Sequence, residues 1–423
     1  MPRIAVIGAG ISGVTAAYAL AQRGYDVTVI DRGRYPAMDT SFANGGQLSA
    51  CNAEVWNSIG TIIKGLKWML RKDAPLLVNP SPSWHKYSWM AEFVAAIPHY
   101  RANTIETTRL AIAARQYLFS IAEAEGIDFD LEQRGILHIF RDKKTYDASA
   151  RVNKLLAEGG LERHAVTNEE MRSIEPALRG DYVGGFFTPS DSTGDIHKFT
   201  RGLAEAAQRH GVRFIQDAIV TSVTRDGEGE ASGLVIRFEP SLPDAGLAEF
   251  PTPAEQTVRV DAVVISAGSA SRDLAKQLGD RVNIYPVKGY SITVNSDLPE
   301  SQAATPTVSL LDEAAKIVTS RLGVGRLRVA GTAEYNGFNR DIRSDRIQPL
   351  IDWVRREFPG IETDRVVPWT GLRPMMPDMM PRVRRGKQKG IFYHTGHGHL
   401  GWTLSAATSQ LIADQVAADY PVK

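Results

Sequence analysis

Apolar positions along the chain fall into short unbroken runs and longer helical stripes, and their order predicts an α/β protein. Residues 3–7, RIAVI, read as a buried strand. The next segment sets Ala17 and Leu20 on one packed face and stops at Gly24, which predicts a helix. YDVTVID follows as a second strand, with Asp31 at its end. Residues 101–126 predict one long helix, RGILHIF at 134–140 a strand, and 194–215 a helix ended by Gly211 and followed by a strand. Residues 218–239 read as two strands around a glycine-rich hairpin, and 240–256 as a Pro-rich exposed loop. VRVDAVVISAGSAS at 258–271 is a hydrophobic strand ending in small residues, while 286–294 and 325–335 read as strands of a second sheet. In 59–75, Ile62, Ile63, Leu66, Met69 and Leu70 recur at helical spacing among Lys64, Lys67, Arg71 and Lys72. That pattern fits either a half-buried helix or a basic face lying on a membrane.

Composition narrows the function classes. A length of 423 residues points to two or three folding units. A net charge of +1 gives nucleic acid no electrostatic foothold. The one cysteine, Cys51, excludes an intrachain disulfide and a multi-cysteine metal site, and fits a reducing compartment. No run of eighteen apolar residues predicts a spanning helix, and the glycine-broken start of the chain is better explained as a cofactor motif than as a signal peptide.

That motif is Gly8-x-Gly10-x-x-Gly13 between the first strand and the first helix. Gly8 permits a tight turn, Gly10 leaves room for a pyrophosphate, and Gly13 lets helix and strand pack closely. The helix start offers free N–H groups and a positive dipole end to phosphate. Asp31, with Arg32 beside it, closes the second strand, where an acid accepts hydrogen bonds from a ribose 2′-hydroxyl. The motif predicts an adenine dinucleotide without separating FAD from NAD.

Two further stretches suit a cofactor. DTSFANGGQLSA at 39–50 is small, polar and glycine-rich, as a loop near a ligand should be. HTGHGHLGWTLSA at 394–406 combines three histidines with glycines. A metal site there lacks a nearby carboxylate or cysteine, so no metal is expected.

Nine motifs in series carry a resemblance: GAGISG (8–13), TSFANGGQ (40–47), DSTGD (191–195), the helix–strand unit at 200–223, VVISAG (263–268), PVKGYS (286–291), RVAGTAE (328–334), GLRPMMPD (371–378) and TGHGHLGWT (395–403). They span nearly the whole chain, which resembles the FAD-dependent D-amino-acid oxidase superfamily, and within it the bacterial D-amino-acid dehydrogenases of small-subunit type. The resemblance implies a Rossmann-like FAD-binding domain assembled from 1–85, 190–280 and 370–423. It also implies a substrate domain from 86–189 and 281–369, with a mixed, largely antiparallel sheet and flanking helices. FAD would be held non-covalently. Gly8, Gly10, Gly13, Asp31 and Arg32 would take its ADP half. Ser41, Asn44, Gly45, Gly46 and Gln47 would lie beside the flavin, Val220 by the adenine, and Ala267 and Gly268 along the pyrophosphate. Gly371, Gly398, His399, Leu400, Gly401 and Thr403 would surround the ring end.

The implied reaction is oxidative deamination of a D-amino acid, or of a cyclic imino acid such as D-proline, by hydride transfer from the α-carbon to flavin N5. Electrons would pass to a quinone or another carrier. The alternatives are an oxidase using O2, a dehydrogenase of secondary amines such as sarcosine or D-hydroxyproline, and a non-catalytic flavin-binding protein. The resemblance makes Arg373, in GLRP, the expected carboxylate clamp, and the planar fork of an arginine matches two oxygens. Tyr290, Tyr335 and His399 are further candidates for the substrate pocket, and no dedicated catalytic base is expected. Where the dehydrogenases often differ, this chain has Gly45, Met376, Met379 and His399. The last three are expected to line or flank the pocket and to favour a bulkier or cyclic substrate. The implied location is the cytoplasm, with peripheral contact on the membrane face.

Overall fold

The computed structural model describes residues 1–68, 75–227, 233–241 and 255–422. Part of the 59–75 stripe (69–74), the tip of the 218–239 hairpin (228–232) and most of the Pro-rich loop (242–254) lie outside the described residues.

Two sheets organise the chain. The first has six strands in the order Arg382–Arg385, Ile391–Thr395, Ala262–Ile265, Arg3–Ile7, Asp26–Ile30 and Arg213–Ile215. All pairs are parallel except the outermost, between Arg382–Arg385 and Ile391–Thr395. Strand alternation sends Ile4 and Val6 to one face and Ala5 and Ile7 to the other. The first face packs against the helices Ile11–Gln22, Ile196–Arg209 and Gly401–Asp419 through Val14, Leu20, Phe199, Leu203 and Ile412. The second is covered by an antiparallel sheet of Ala218–Arg225, Leu234–Pro240 and Gln256–Val260. Both faces are buried, which explains why these parallel strands read as continuous hydrophobic runs.

The second sheet is mixed and mostly antiparallel. Its order is Val366–Met375, Tyr285–Asn295, Arg326–Tyr335, Ile317–Leu322, Ser309–Asp312, Ile136–Phe140, Gly184–Thr188 and His164–Val166, with Leu76–Val78 paired beside Arg326–Tyr335. The helix Ser344–Glu357 covers one face through Ile347, Leu350, Trp353 and Val354. The opposite face looks into a cleft shared with the first sheet. Two elements sit otherwise than the expected domain boundaries suggest. Leu76–Val78 joins the second sheet, and Val366–Met375 crosses position 370 as one continuous strand of it.

The long helix runs from Tyr100 to Glu125 and ends at Gly126 in the left-handed conformation, φ 65°. It packs on the C-terminal helix and sends Arg115 to the buried Asp191 at 2.9 Å. Asp191 also accepts from the backbone N–H groups of Ala50 (3.0 Å) and Cys51 (2.9 Å). One carboxylate thereby ties the long helix to the chain leaving the 39–50 loop.

Candidate functional site

The cleft between the sheets has a volume of about 2120 Å³. Single-ligand pockets occupy roughly 300–1,000 Å³, so this one has room for more than one ligand.

At its first end the strand Arg3–Ile7 runs into Gly8, held at φ 109°, where a Cβ would fall 2.5 Å from the Ser266 carbonyl oxygen. A Cβ at Gly13 would fall 1.8 Å from the Gly8 oxygen, so Gly13 serves packing and does not line the cleft. Gly10 differs. Its nearest neighbour would be Ser41 Oγ at 3.5 Å, and it opens on the cleft. Ser41 Oγ accepts from Ile11 N–H at 3.0 Å and fixes the 39–50 loop across the helix start. Asp31 accepts from Ala9 N–H (2.6 Å) and Gly33 N–H (2.7 Å). Burial pushes its carboxyl pKa up against those donors. Arg32 is turned toward Asp39, which also pairs with Arg340. Val220, Ala267 and Gly268 line the same arm.

An extended dinucleotide fits these residues. Two buried hydroxyls on the wall, Ser266 Oγ and Ser269 Oγ, have no partner among the described residues, and the Gly10 position is open where a phosphate would approach. In the 39–50 loop, Gly46 N–H donates to Asn44 Oδ1 at 2.9 Å, and Gly45 O accepts from Ser320. Gln47 has its amide bound to Ser309 (2.7 Å) and its carbonyl to Asn52 (3.1 Å).

The other end is built on paired glycines. Gly289 and Gly371 face each other across adjacent strands. A Cβ at 289 would lie 2.4 Å from the Arg373 guanidinium, and one at 371 would lie 2.2 Å from the Trp369 ring. Their absence lets both long side chains lie across the strands on the cleft face. Arg373 Nη1 donates at 2.9 Å to the carbonyl of Thr332. Thr332 sits at a register shift with φ 62°, a conformation that costs a β-branched residue energy and here turns its carbonyl to the guanidinium. Among the described residues Arg373 has no carboxylate partner, and burial pulls its pKa down to about 10.

Tyr335 stacks on Tyr285 (centroids 5.6 Å apart) and packs by Trp89 (5.5 Å). Its hydroxyl has no partner among the described residues, and the side chain lines the cleft. His399 stacks on Trp56 at 4.7 Å, and its Nε2 donates to the Asn52 carbonyl at 3.3 Å. Burial, then the charge of Arg373, pulls its pKa down to about 4, so it stays neutral.

Other expected residues are placed elsewhere. Tyr290 packs in the core beneath the helix Ser344–Glu357, and its hydroxyl donates to Glu334 at 2.8 Å, so its phenol is already committed. Leu400 is buried with Cys51 and Leu404, and Thr403 Oγ1 accepts from Ser49 N–H at 3.2 Å; both support the wall from behind. Met376 packs against Gly396, and Met379 with Val55 and Trp89, so neither lines the cleft. Gly398 and Gly401 do line it.

Sequence reasoning missed Trp56 and Trp369; alternation with Gly371 along the strand Val366–Met375 was the available signal for Trp369, and Trp56, outside any strand, carried none. It also missed a second arm. There His138 Nε2 lies 3.2 Å from Cys51 Sγ, and His138 Nδ1 lies 3.2 Å from Glu313 Oε1. Glu313 pairs with Lys316, and Tyr100 donates to Glu54 at 2.6 Å. Burial holds His138 down to about 4 and pushes the Cys51 thiol up, so this cysteine is a protonated donor and not a nucleophile. No cluster of three metal-ligating side chains occurs among the described residues.

Comparison with known proteins agrees with this geometry. The family described as FAD dependent oxidoreductase (DAO) matches residues 3–415. The chain is 60% identical over 422 residues to "D-amino acid dehydrogenase 3" of Mesorhizobium japonicum, covering 100% of this chain and 98% of that protein. It is 40% identical over 426 residues to a D-amino acid dehydrogenase of Paramagnetospirillum magneticum, covering 98% and 95%. Among solved structures it is similar to glycine oxidase from Geobacillus kaustophilus, with a TM-score of 0.75, 21% identity and coverage of 100% and 96%. It is also similar to L-proline dehydrogenase from P. horikoshii, with a TM-score of 0.73, 15% identity and coverage of 99% and 93%. These two likenesses concern the fold.

Gly10→Val should yield colourless protein, because the new side chain fills the pyrophosphate approach; a normal flavin content on release into denaturant would contradict this. Acid should destabilise the fold in a defined window. His138, His394 and His399, each held near 4 from an ordinary 6.5, are neutral in both folded and unfolded chains above that value. As pH falls the unfolded chain takes up protons first, so stability is lost from about pH 6.5 toward 4. The thermal midpoint should fall through that range, and less steeply in His399→Gln; a flat profile would rule the assignment out.

Proposed function

The chain belongs to the FAD dependent oxidoreductase family, and on that footing we propose that it oxidises D-amino acids at the Arg373 end of the cleft, passing electrons to a quinone or another carrier. The observation that carries the reading is a half-buried guanidinium with no carboxylate partner among the described residues. Such a group is a receptor for a carboxylate that arrives with the substrate.

Bound FAD supplies the hydride acceptor for the substrate's α-hydrogen. The chain's residues supply position. Arg373 binds the carboxylate, and the unpartnered Tyr335 hydroxyl offers a second donor. His399 remains neutral and adds no positive charge to repel an incoming ammonium. The ammonium loses its proton to water before the hydride leaves, so the amine reacts in its neutral form and no side chain of the pocket is needed as a base. Hydrolysis of the released imine gives a 2-oxo acid and ammonia. Trp56, Trp89 and Tyr335 provide apolar walls that favour a bulky or cyclic side chain. The six-stranded sheet and its helices form the cofactor domain, and the mixed sheet forms the substrate domain.

A peripheral membrane contact has its own support. The helix Ile59–Trp68 exposes Ile59 (65%) and Ile63 (50%) beside Lys64 and Lys67. Its residues Ile62, Lys64 and Trp68 line the cleft, so the apolar and basic face lies at the entrance an acceptor would use. No helix among the described residues is long and apolar enough to cross a membrane.

Anaerobic mixing with D- and L-amino acids, D-proline, D-hydroxyproline and sarcosine should bleach the flavin band with D-substrates, with fast recovery by quinone and slow recovery in air. Bleaching by sarcosine or L-compounds alone, fast recovery with peroxide formed, or no bleaching at all would each overturn the reading. In Arg373→Ala, KM for carboxylated substrates should rise about 10- to 100-fold with flavin retained; an unchanged KM would remove Arg373 from the site. Co-sedimentation with anionic vesicles should fall when Lys64 and Lys67 are neutralised, and undiminished sedimentation would refute the membrane contact.

A further inference from the structure

Four side chains from separate parts of the chain meet behind the cofactor turns. Ser12 lies at the start of the dinucleotide helix, His394 on the strand Ile391–Thr395, His397 in the glycine turn after it, and Thr408 on the C-terminal helix. His394 Nδ1 is 3.0 Å from the Ser12 carbonyl oxygen, and its Nε2 is 2.8 Å from Thr408 Oγ1. His397 Nε2 is 2.9 Å from the same Thr408 Oγ1, and its Nδ1 is 3.3 Å from Ser12 Oγ. The rings are buried and cross at 82°, with centroids 4.8 Å apart. Burial depresses both pKa values, His394 to about 4 and His397 well below the ordinary imidazole value. Both rings are therefore neutral.

Proton counting then leaves one arrangement. A carbonyl only accepts, so His394 carries its proton on Nδ1. Its Nε2 is bare, and Thr408 must donate to it. Thr408 Oγ1 also lies 3.1 Å from the Leu404 carbonyl and 3.2 Å from that of Ser405. Donation to either would leave two lone pairs facing each other at 2.8 Å. With its single proton committed, Thr408 accepts from His397 Nε2–H. His397 Nδ1 is then bare and takes the Ser12 hydroxyl proton.

We infer that Ser12, His397, Thr408 and His394 form a closed, one-way ring of hydrogen bonds that locks the dinucleotide turn to the C-terminal glycine turn. The ring begins at the Ser12 hydroxyl and ends at the Ser12 carbonyl. It requires opposite tautomers, Nδ1–H at His394 and Nε2–H at His397. These are positioning residues: they fix two turns that approach the cofactor from different ends of the chain. The Ser12 proton points into the ring, so the turn offers phosphate its backbone N–H groups alone. The ring does not depend on which amine is oxidised.

The test is ¹⁵N-histidine spectroscopy of the holoenzyme between about pH 5 and 8. Two non-titrating rings of opposite tautomer are expected. Ser12→Ala should perturb the Nε2–H ring first, because only His397 loses its partner. Thr408→Val should perturb both rings and weaken flavin binding about tenfold, and Thr408→Ser should restore both properties. Two rings of the same tautomer, titration of either within that range, or a Thr408→Val variant that shifts only one would overturn the ring. If Thr408→Val does not fold, the wild-type and Ser12→Ala spectra decide the question.

Discussion

A cation removed from water without a counter-ion is unfavourable by several kcal/mol unless its donors are met. Arg373 is kept in that state by features that serve little else. Gly289 removes the side chain that would displace it, Gly371 does the same for the neighbouring Trp369 ring, and Thr332 adopts a left-handed backbone to offer one carbonyl. The remaining donors would meet the substrate carboxylate proposed above. The register of the strands Tyr285–Asn295 and Val366–Met375 keeps Arg373 on the cleft face, since a one-residue slip would turn it to the opposite one.

Keeping other charges away is the complementary device. The histidines at and behind the ring end are neutral because they are buried, and the cysteine of the second arm is a protonated thiol. Arg32 is drawn to Asp39 at the cleft's edge. At the Arg373 end the histidine adds no positive charge, while the buried Lys86, which also lines the cleft, is held by the carbonyls of Asn79 and Ser81.

The dinucleotide end uses glycine in two distinct ways. Gly8 and Gly13 are excluded by protein atoms, so they would be required even in an empty fold. Gly10 has free space beyond it, and only a ligand explains why that space is kept. Asp31 shows the same division: its two oxygens already accept backbone N–H groups, which orient the carboxylate toward the cleft.

What the chain alone determined is local. The strand, GxGxxG turn, helix and acidic strand end lie within about thirty residues, where spacing and steric reach constrain one another. Buried parallel strands also declare themselves as unbroken apolar runs. The position of Arg373 was legible through the motif GLRP. Tertiary structure decided whatever depended on which face a side chain takes or which distant group it meets. Tyr290 and Arg373 sit on paired strands, yet pleat and bulge send the phenol to Glu334 and the guanidinium to the cleft. Met376 and Met379 follow Arg373 in sequence but fill gaps in the core. Cys51, His138 and Glu313 are joined across 87 and 175 positions, and Ser12 meets His397 across 385. Periodicity carries no information over such separations, because only packing of the sheets and helices brings those atoms within hydrogen-bond distance.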